Sequence, residues 1–160
     1  MKAMMPVRAN KERTKELSFA GFVAMHYVLT EKLHYSVENT RYLSDKLRYR
    51  FDSIIEGYVS VKDILQELNE DYGLNIYFFP TTGDWLSTEA SRNLAKKAVK
   101  GVCAATLCLT LADCRGYDKK LEQVQKWVEQ AMDMFIEDYE ALKAYVLKIY
   151  DDYGIKLVRR

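Results

Sequence analysis

From Asp118 to Tyr153 the chain runs without a Gly or Pro, and Leu121, Val128, Phe135, Leu142 and Ile149 recur at intervals of seven. Val124, Met132, Tyr139 and Val146 fill the intervening turns. Apolar residues at that spacing lie along one stripe of a helix. The pattern predicts a single helix over Asp118–Tyr153, about 54 Å long at the helical rise per residue. A chain of 160 residues packs into a globule only about 40 Å across. The expected fold is therefore a mainly α, elongated bundle, the alternatives being that the helix bends or that its overhang packs on a second copy in a homodimer.

The remaining helices are read from periodicity and punctuation. An N-terminal helix is expected from Asn10 to Leu33, apolar on two faces. Phe19, Phe22, His26, Leu29 and Leu33 make one stripe, and Leu17, Ala20, Gly21, Ala24 and Val28 a second, mostly of small residues. A helix buried on both sides is central, and small residues let a neighbour approach closely. A second helix is expected over Val37–Glu56, capped by Ser36 or Asn39 and stopped by Gly57. Its core stripe reads Leu43, Leu47, Phe51, Ile54 and Tyr58.

A third helix starts at Ser60, where Ser60 and Asp63 resemble a capping box, and stops at Gly73. A fourth runs over Ser87–Asp113, although Leu107–Ala112 also suits a buried strand. With the C-terminal helix this makes about five. Leu74–Phe79, closed by Pro80, reads as a short strand. Asp71-Tyr72-Gly73 before it is echoed by Asp152-Tyr153-Gly154 before Ile155-Lys156-Leu157. The echo suggests a minor two-stranded β element. Residues 1–160 are read as one helical domain, with 1–9 as a flexible N-terminal arm.

Charge limits the partners. The net charge is +1, but residues 1–50 carry ten Lys or Arg against five Asp or Glu. Residues 118–153 carry five against nine. Such a balance excludes a uniformly electrostatic partner and leaves local basic faces. Met1–Glu16 contains no apolar signal core, and the uncharged run Gly101–Ala112 is too short to cross a bilayer. Cys103, Cys108 and Cys114 are odd in number and lack Cys-x-x-Cys spacing. That favours a reducing, cytoplasmic setting over a disulfide framework.

No chemistry-bearing signature emerges. The chain lacks a nucleophile elbow, a phosphate-binding Gly loop and a dinucleotide fingerprint. Glu31 and His34 have the spacing of a di-iron half-site, but no second Glu-x-x-His exists to complete it. His26 sits within an apolar stripe, so a core histidine is expected. The expectation is a non-enzyme without metal or cofactor.

Two surface clusters remain. Tyr42, Lys46 and Tyr49 line a strip on the second helix, with Ser53 at its end and Arg50 at its edge. Tyr and basic residues so arranged suit a protein interface, or the stacking of bases beside phosphates. The plainer alternative is a bundle flank with its Tyr rings half buried on a neighbour. Arg92, Lys96, Lys97 and Lys100 form a basic face on the fourth helix. Its plainer alternative is a helix end salt-bridged to the acidic C-terminal helix. The expected function is that of a regulator, adaptor or inhibitor binding a protein through helix faces. The alternative is nucleic-acid binding through residues 41–50 and 92–100.

Overall fold

Six α-helices and one π-helical turn make up the fold, described in a computed structural model over residues 7–58, 60–76, 89–116 and 120–159. Helix α1, Val7–Tyr27, passes directly into the π turn Val28–Lys32, closed by the Leu33 amide donating to the Val28 carbonyl at 2.9 Å. Residues 7–9, read from sequence as part of an arm, belong to α1. Helix α2, Val37–Ile55, starts where the Ser36 hydroxyl accepts from the Asn39 amide at 3.2 Å. Its core stripe is Leu43, Leu47 and Phe51, with Ile54 packed against it. Tyr58, expected in that stripe, lies beyond the helix and is exposed.

Helix α3, Val61–Tyr72, begins without a side-chain cap from Ser60, so the expected capping box is not formed. It ends where Gly73 adopts the left-handed region at φ 66°. Helix α4 spans Glu89–Arg115. Every residue from Cys103 to Ala112 is buried in it, which settles the strand alternative in favour of a helix. Cys114, placed by sequence beyond the helix end, lies in its last turn.

The expected single C-terminal helix is two helices, α5 (Leu121–Glu137) and α6 (Tyr139–Tyr153). Between them Asp138 takes an extended conformation, φ −128° and ψ 94°, and its carboxylate accepts from the Ala141 amide at 3.2 Å. The side chain thus caps α6 at the point where the α5 ladder stops. At the helical rise the two are about 26 and 23 Å long, each shorter than the globule. The geometric ground for an elongated bundle or an overhang on a second copy is removed. No strand occurs among the described residues. Leu74–Ile76 and Ile155–Arg159 are neither helix nor strand, and Tyr77–Phe79 lies outside the described residues.

Helix α4 packs against α1, α2, α3 and α5, while α6 closes over α1, α2 and α5. Close approach of α1 and α4 depends on Gly21, where an added Cβ would collide with the Cys103 Sγ. The small-residue stripe read in α1 serves this contact. Polar groups inside the core are hydrogen-bonded, some within their own helix and some across helices. Thr106 and Thr110 hydroxyls donate to carbonyls one turn back, at 2.8 and 2.7 Å. The Thr30 hydroxyl in the π turn meets the Tyr145 hydroxyl of α6 at 2.7 Å.

Candidate functional site

On α2 the buried stripe fixes which residues face outward. Tyr42, Lys46, Tyr49 and Ser53 follow one another at helical spacing, away from Leu43 and Leu47. Tyr42 is 47 % exposed and Tyr49 75 % exposed. The Lys46 ammonium stands 5.5 Å from the Tyr42 ring centroid, a cation–π arrangement at the helix surface. The Ser53 hydroxyl donates back to the Tyr49 carbonyl at 2.8 Å. The tyrosines therefore belong to a solvent face rather than to a bundle flank.

Arg50 does not join that strip. Its guanidinium donates to Asp113 Oδ2 of α4 at 2.8 Å, and Tyr72 of α3 approaches Asp113 Oδ1 at 3.4 Å. Asp113 gathers three helices at one point. On α4, Lys100 and Lys96 both face Asp133 Oδ1 of α5, at 2.7 and 3.4 Å. This matches the alternative in which the basic face meets the acidic C-terminal segment. Lys97 is exposed beside them. Arg92 falls in α4 with its side chain outside the described set. The sequence-predicted residues thus divide into an outward group, Tyr42, Lys46 and Tyr49, and a group facing carboxylates, Arg50, Lys96 and Lys100.

A second exposed strip escaped the sequence reading. Tyr139, expected in the core, is 65 % exposed, with Leu147 at 64 % and Tyr150 at 55 % on the same side of α6. The Lys143 ammonium lies 5.1 Å from the Tyr139 ring centroid and 2.9 Å from Glu140. The signal was the spacing 139, 143, 147, 150, which defines a helix face of its own once α6 is separated from α5.

His26, Cys103 and Cys108 are buried within the core. Both ring nitrogens of His26 are hydrogen-bonded inside the core, to the Phe22 carbonyl and the Ser44 hydroxyl. Burial pushes the Cys103 and Cys108 thiols up to about 12, away from thiolate chemistry. Glu31 pairs with Lys148 at 2.6 Å, and His34 is exposed. Among the described residues no group of three or more His, Cys, Asp or Glu is placed to hold a metal ion. A cleft of about 250 Å³ lined by Tyr72, Gly73, Leu74, Lys120, Leu121 and Glu122 is smaller than most ligand pockets. No helix among the described residues is long and apolar enough to cross a membrane.

Comparison with protein-family models, curated proteins and solved structures finds no match to this chain.

Proposed function

We propose that this chain is a non-catalytic interaction protein of the cytoplasm, a regulator, adaptor or inhibitor that binds a protein partner through the solvent face of α2. The observation that carries the reading is the Tyr42–Lys46–Tyr49 strip. Its two phenols are 47 % and 75 % exposed, on a helix anchored from behind by Leu43 and Leu47. Tyr offers a large apolar area on few rotatable bonds and a hydroxyl at its rim. For that reason it is enriched at the energetic centres of interfaces. The non-catalytic part rests on the buried titratable groups, His26, Cys103 and Cys108, each held in the state least suited to proton transfer or nucleophilic attack.

Nucleic-acid binding is the second reading, favoured by Lys46 between two exposed rings that could stack bases. It is weakened by the pairing of Arg50, Lys96 and Lys100 with Asp113 and Asp133. Phosphates would have to displace those carboxylates or sit beside them.

Affinity purification of the tagged chain, beside a Tyr42→Ala/Tyr49→Ala variant of unchanged helix content, checks the reading. The expected result is a protein partner held by the parent and lost about tenfold by the variant. Partner recovery that ignores the two substitutions would sink it. Fluorescence anisotropy against labelled single- and double-stranded DNA and RNA in a salt series tests the second reading. Binding that falls steeply with salt and is lost on neutralising Lys46 and Lys97 would put nucleic acid in the partner's place. A concentration-dependent doubling of mass, reversed by the tyrosine variant, would make the partner a second copy.

A further inference from the structure

Helix α6 completes the core with one side only. Leu142, Tyr145 and Ile149 are buried, while Glu140, Lys143, Ala144, Leu147, Tyr150 and Asp151 are exposed. Successive residues turn by about 100°, so these six span about 120° of the helix surface with Leu147 at the centre. Tyr139, Leu147 and Tyr150 on this side are each more than half exposed. A single apolar residue at a surface needs no explanation, but a row of them along one helix marks an interaction face.

The order of residues on either side of Leu147 identifies what fits there. Four positions back and four on stand Lys143 and Asp151, of opposite charge. Three back and three on stand Ala144 and Tyr150, one small and one large. Seven back and seven on stand Glu140 and Gly154, and Gly154 ends the helix at φ 67° without a side chain to obstruct Glu140. A two-fold axis through Leu147 exchanges the members of each pair between copies. Lys143 then meets Asp151 of the second copy, and the Tyr150 ring lies over Ala144 of the second copy. Each contact is made twice. Parallel alignment would instead set Lys143 against Lys143 and Asp151 against Asp151, which is repulsive.

We infer that α6 pairs antiparallel with α6 of a second copy, about a two-fold axis at Leu147. The bond from Lys143 to Glu140, 2.9 Å along the same helix, is an exposed ion pair of small worth and does not hold the ammonium back from Asp151 of the second copy. A net charge of +1 leaves little general repulsion between copies. Tyr139, Leu147 and Tyr150 offer about 300 to 400 Å² per copy, against about 800 Å² per partner in a standard interface. The dimer is therefore weak, with a Kd of about 10 to 100 µM. Its basis is the self-complementary face and not an overhanging helix, and it stands apart from the tyrosine strip of α2.

Sedimentation equilibrium of the full chain from about 5 to 500 µM tests the inference, with a passage from monomer to dimer expected across that range. Leu147→Glu, at an exposed position where helix content should not change, is expected to raise the Kd at least about tenfold. Lys143→Asp and Asp151→Lys each set like charges together twice, and each is expected to weaken pairing about tenfold. Mixing those two variants is expected to restore it, because the mixed dimer brings opposite charges together at both ends. A parent still monomeric at about 500 µM would overturn the inference. So would pairing indifferent to Leu147→Glu, or a mixture of the charge variants that pairs no better than either alone. A dimer lost with Tyr42→Ala/Tyr49→Ala but kept with Leu147→Glu would overturn it too, by moving the second copy to α2. A monomeric parent that captures a different protein through Leu147 would do the same, by giving the face to that protein.

Discussion

The Nε2 of His26 lies 2.8 Å from the Oγ of Ser44, and its Nδ1 lies 2.8 Å from the carbonyl oxygen of Phe22. A carbonyl can only accept, so Nδ1 carries the proton and Nε2 accepts from the serine hydroxyl. Phe22 also meets the imidazole edge-on at 4.7 Å and stacks on Phe51 at 5.6 Å. Helices α1 and α2 are thus joined through a neutral ring in one tautomer, wholly inside the core.

That neutrality gives stability a pH dependence. Burial depresses the His26 pKa from 6.5 to about 4, with the Phe22 carbonyl opposing and the Arg48 charge assisting. Between those values the unfolded chain binds a proton that the folded chain refuses, so stability falls as pH drops. The contribution is intact above about pH 6.5. Urea titrations from pH 7.5 to 4.5 should show the parent losing about 2 to 3 kcal/mol more than His26→Gln. Parallel losses in the two chains would assign the acid sensitivity to other groups.

The Thr30–Tyr145 hydroxyl pair makes a second measurable link, at 2.7 Å between the π turn and α6. Tyr145→Phe leaves the buried Thr30 hydroxyl with only a long contact of 3.5 Å to the Tyr27 carbonyl. The expected loss is about 1 to 2 kcal/mol, the desolvation of an under-bonded hydroxyl. Thr30→Val alone should cost a similar amount. The double variant should cost less than the two together, with a coupling of about 1 kcal/mol in a double-mutant cycle. Strict additivity would show that the two hydroxyls do not depend on each other.

Gly21→Ala tests packing against propensity. Alanine favours an exposed helix by about 1 kcal/mol, but here its methyl would enter the space of the Cys103 Sγ and press on Met132. Overpacking of this kind costs about 1 to 3 kcal/mol, so net destabilisation is expected. Adding Cys103→Ala should recover most of the loss. Thermal unfolding of the parent and the two variants checks the order.

Where a boundary is set by local chemistry, the sequence is legible. Ser36 starts α2, Gly73 and Gly154 end α3 and α6, and the two-faced pattern of α1 marks its central place. The break at Asp138 is hidden because Leu121, Val128, Phe135, Leu142 and Ile149 are all buried, on both sides of it. A seven-residue period reports which residues face the core. It does not report that the backbone between them is helical. The π turn is similarly silent, since one wider turn changes the facing of Thr30 without altering composition.

The outward tyrosines of α2 are legible because Leu43 and Leu47 fix the opposite face. The partner of Arg50 is not legible, because it depends on how α2 meets α4 across 63 positions of sequence. Tyr139 was misplaced for a different reason. Its period belongs to a helix that begins at Tyr139 itself, after a cap at Asp138 that the sequence reads as the interior of one continuous helix.

Asp138→Ala separates two accounts of that break. Alanine removes the Oδ1 bond to the Ala141 amide, yet it also favours one uninterrupted helix from Leu121 to Tyr153. If local propensity governed, helix content would rise and stability would hold. Packing argues otherwise. Leu142, Tyr145 and Ile149 are buried where α6 meets α1 and α2, and a straightened helix would withdraw them at about 2 kcal/mol each. That exceeds any gain from one added helical residue. The expected outcome is unchanged ellipticity and a loss of about 1 kcal/mol, the usual cost of a missing cap, with Asp138→Asn retaining most of the stability. Circular dichroism with urea unfolding reads both quantities. Increased ellipticity without lost stability would mean that the break is a property of Asp138 alone rather than of the core that α6 completes.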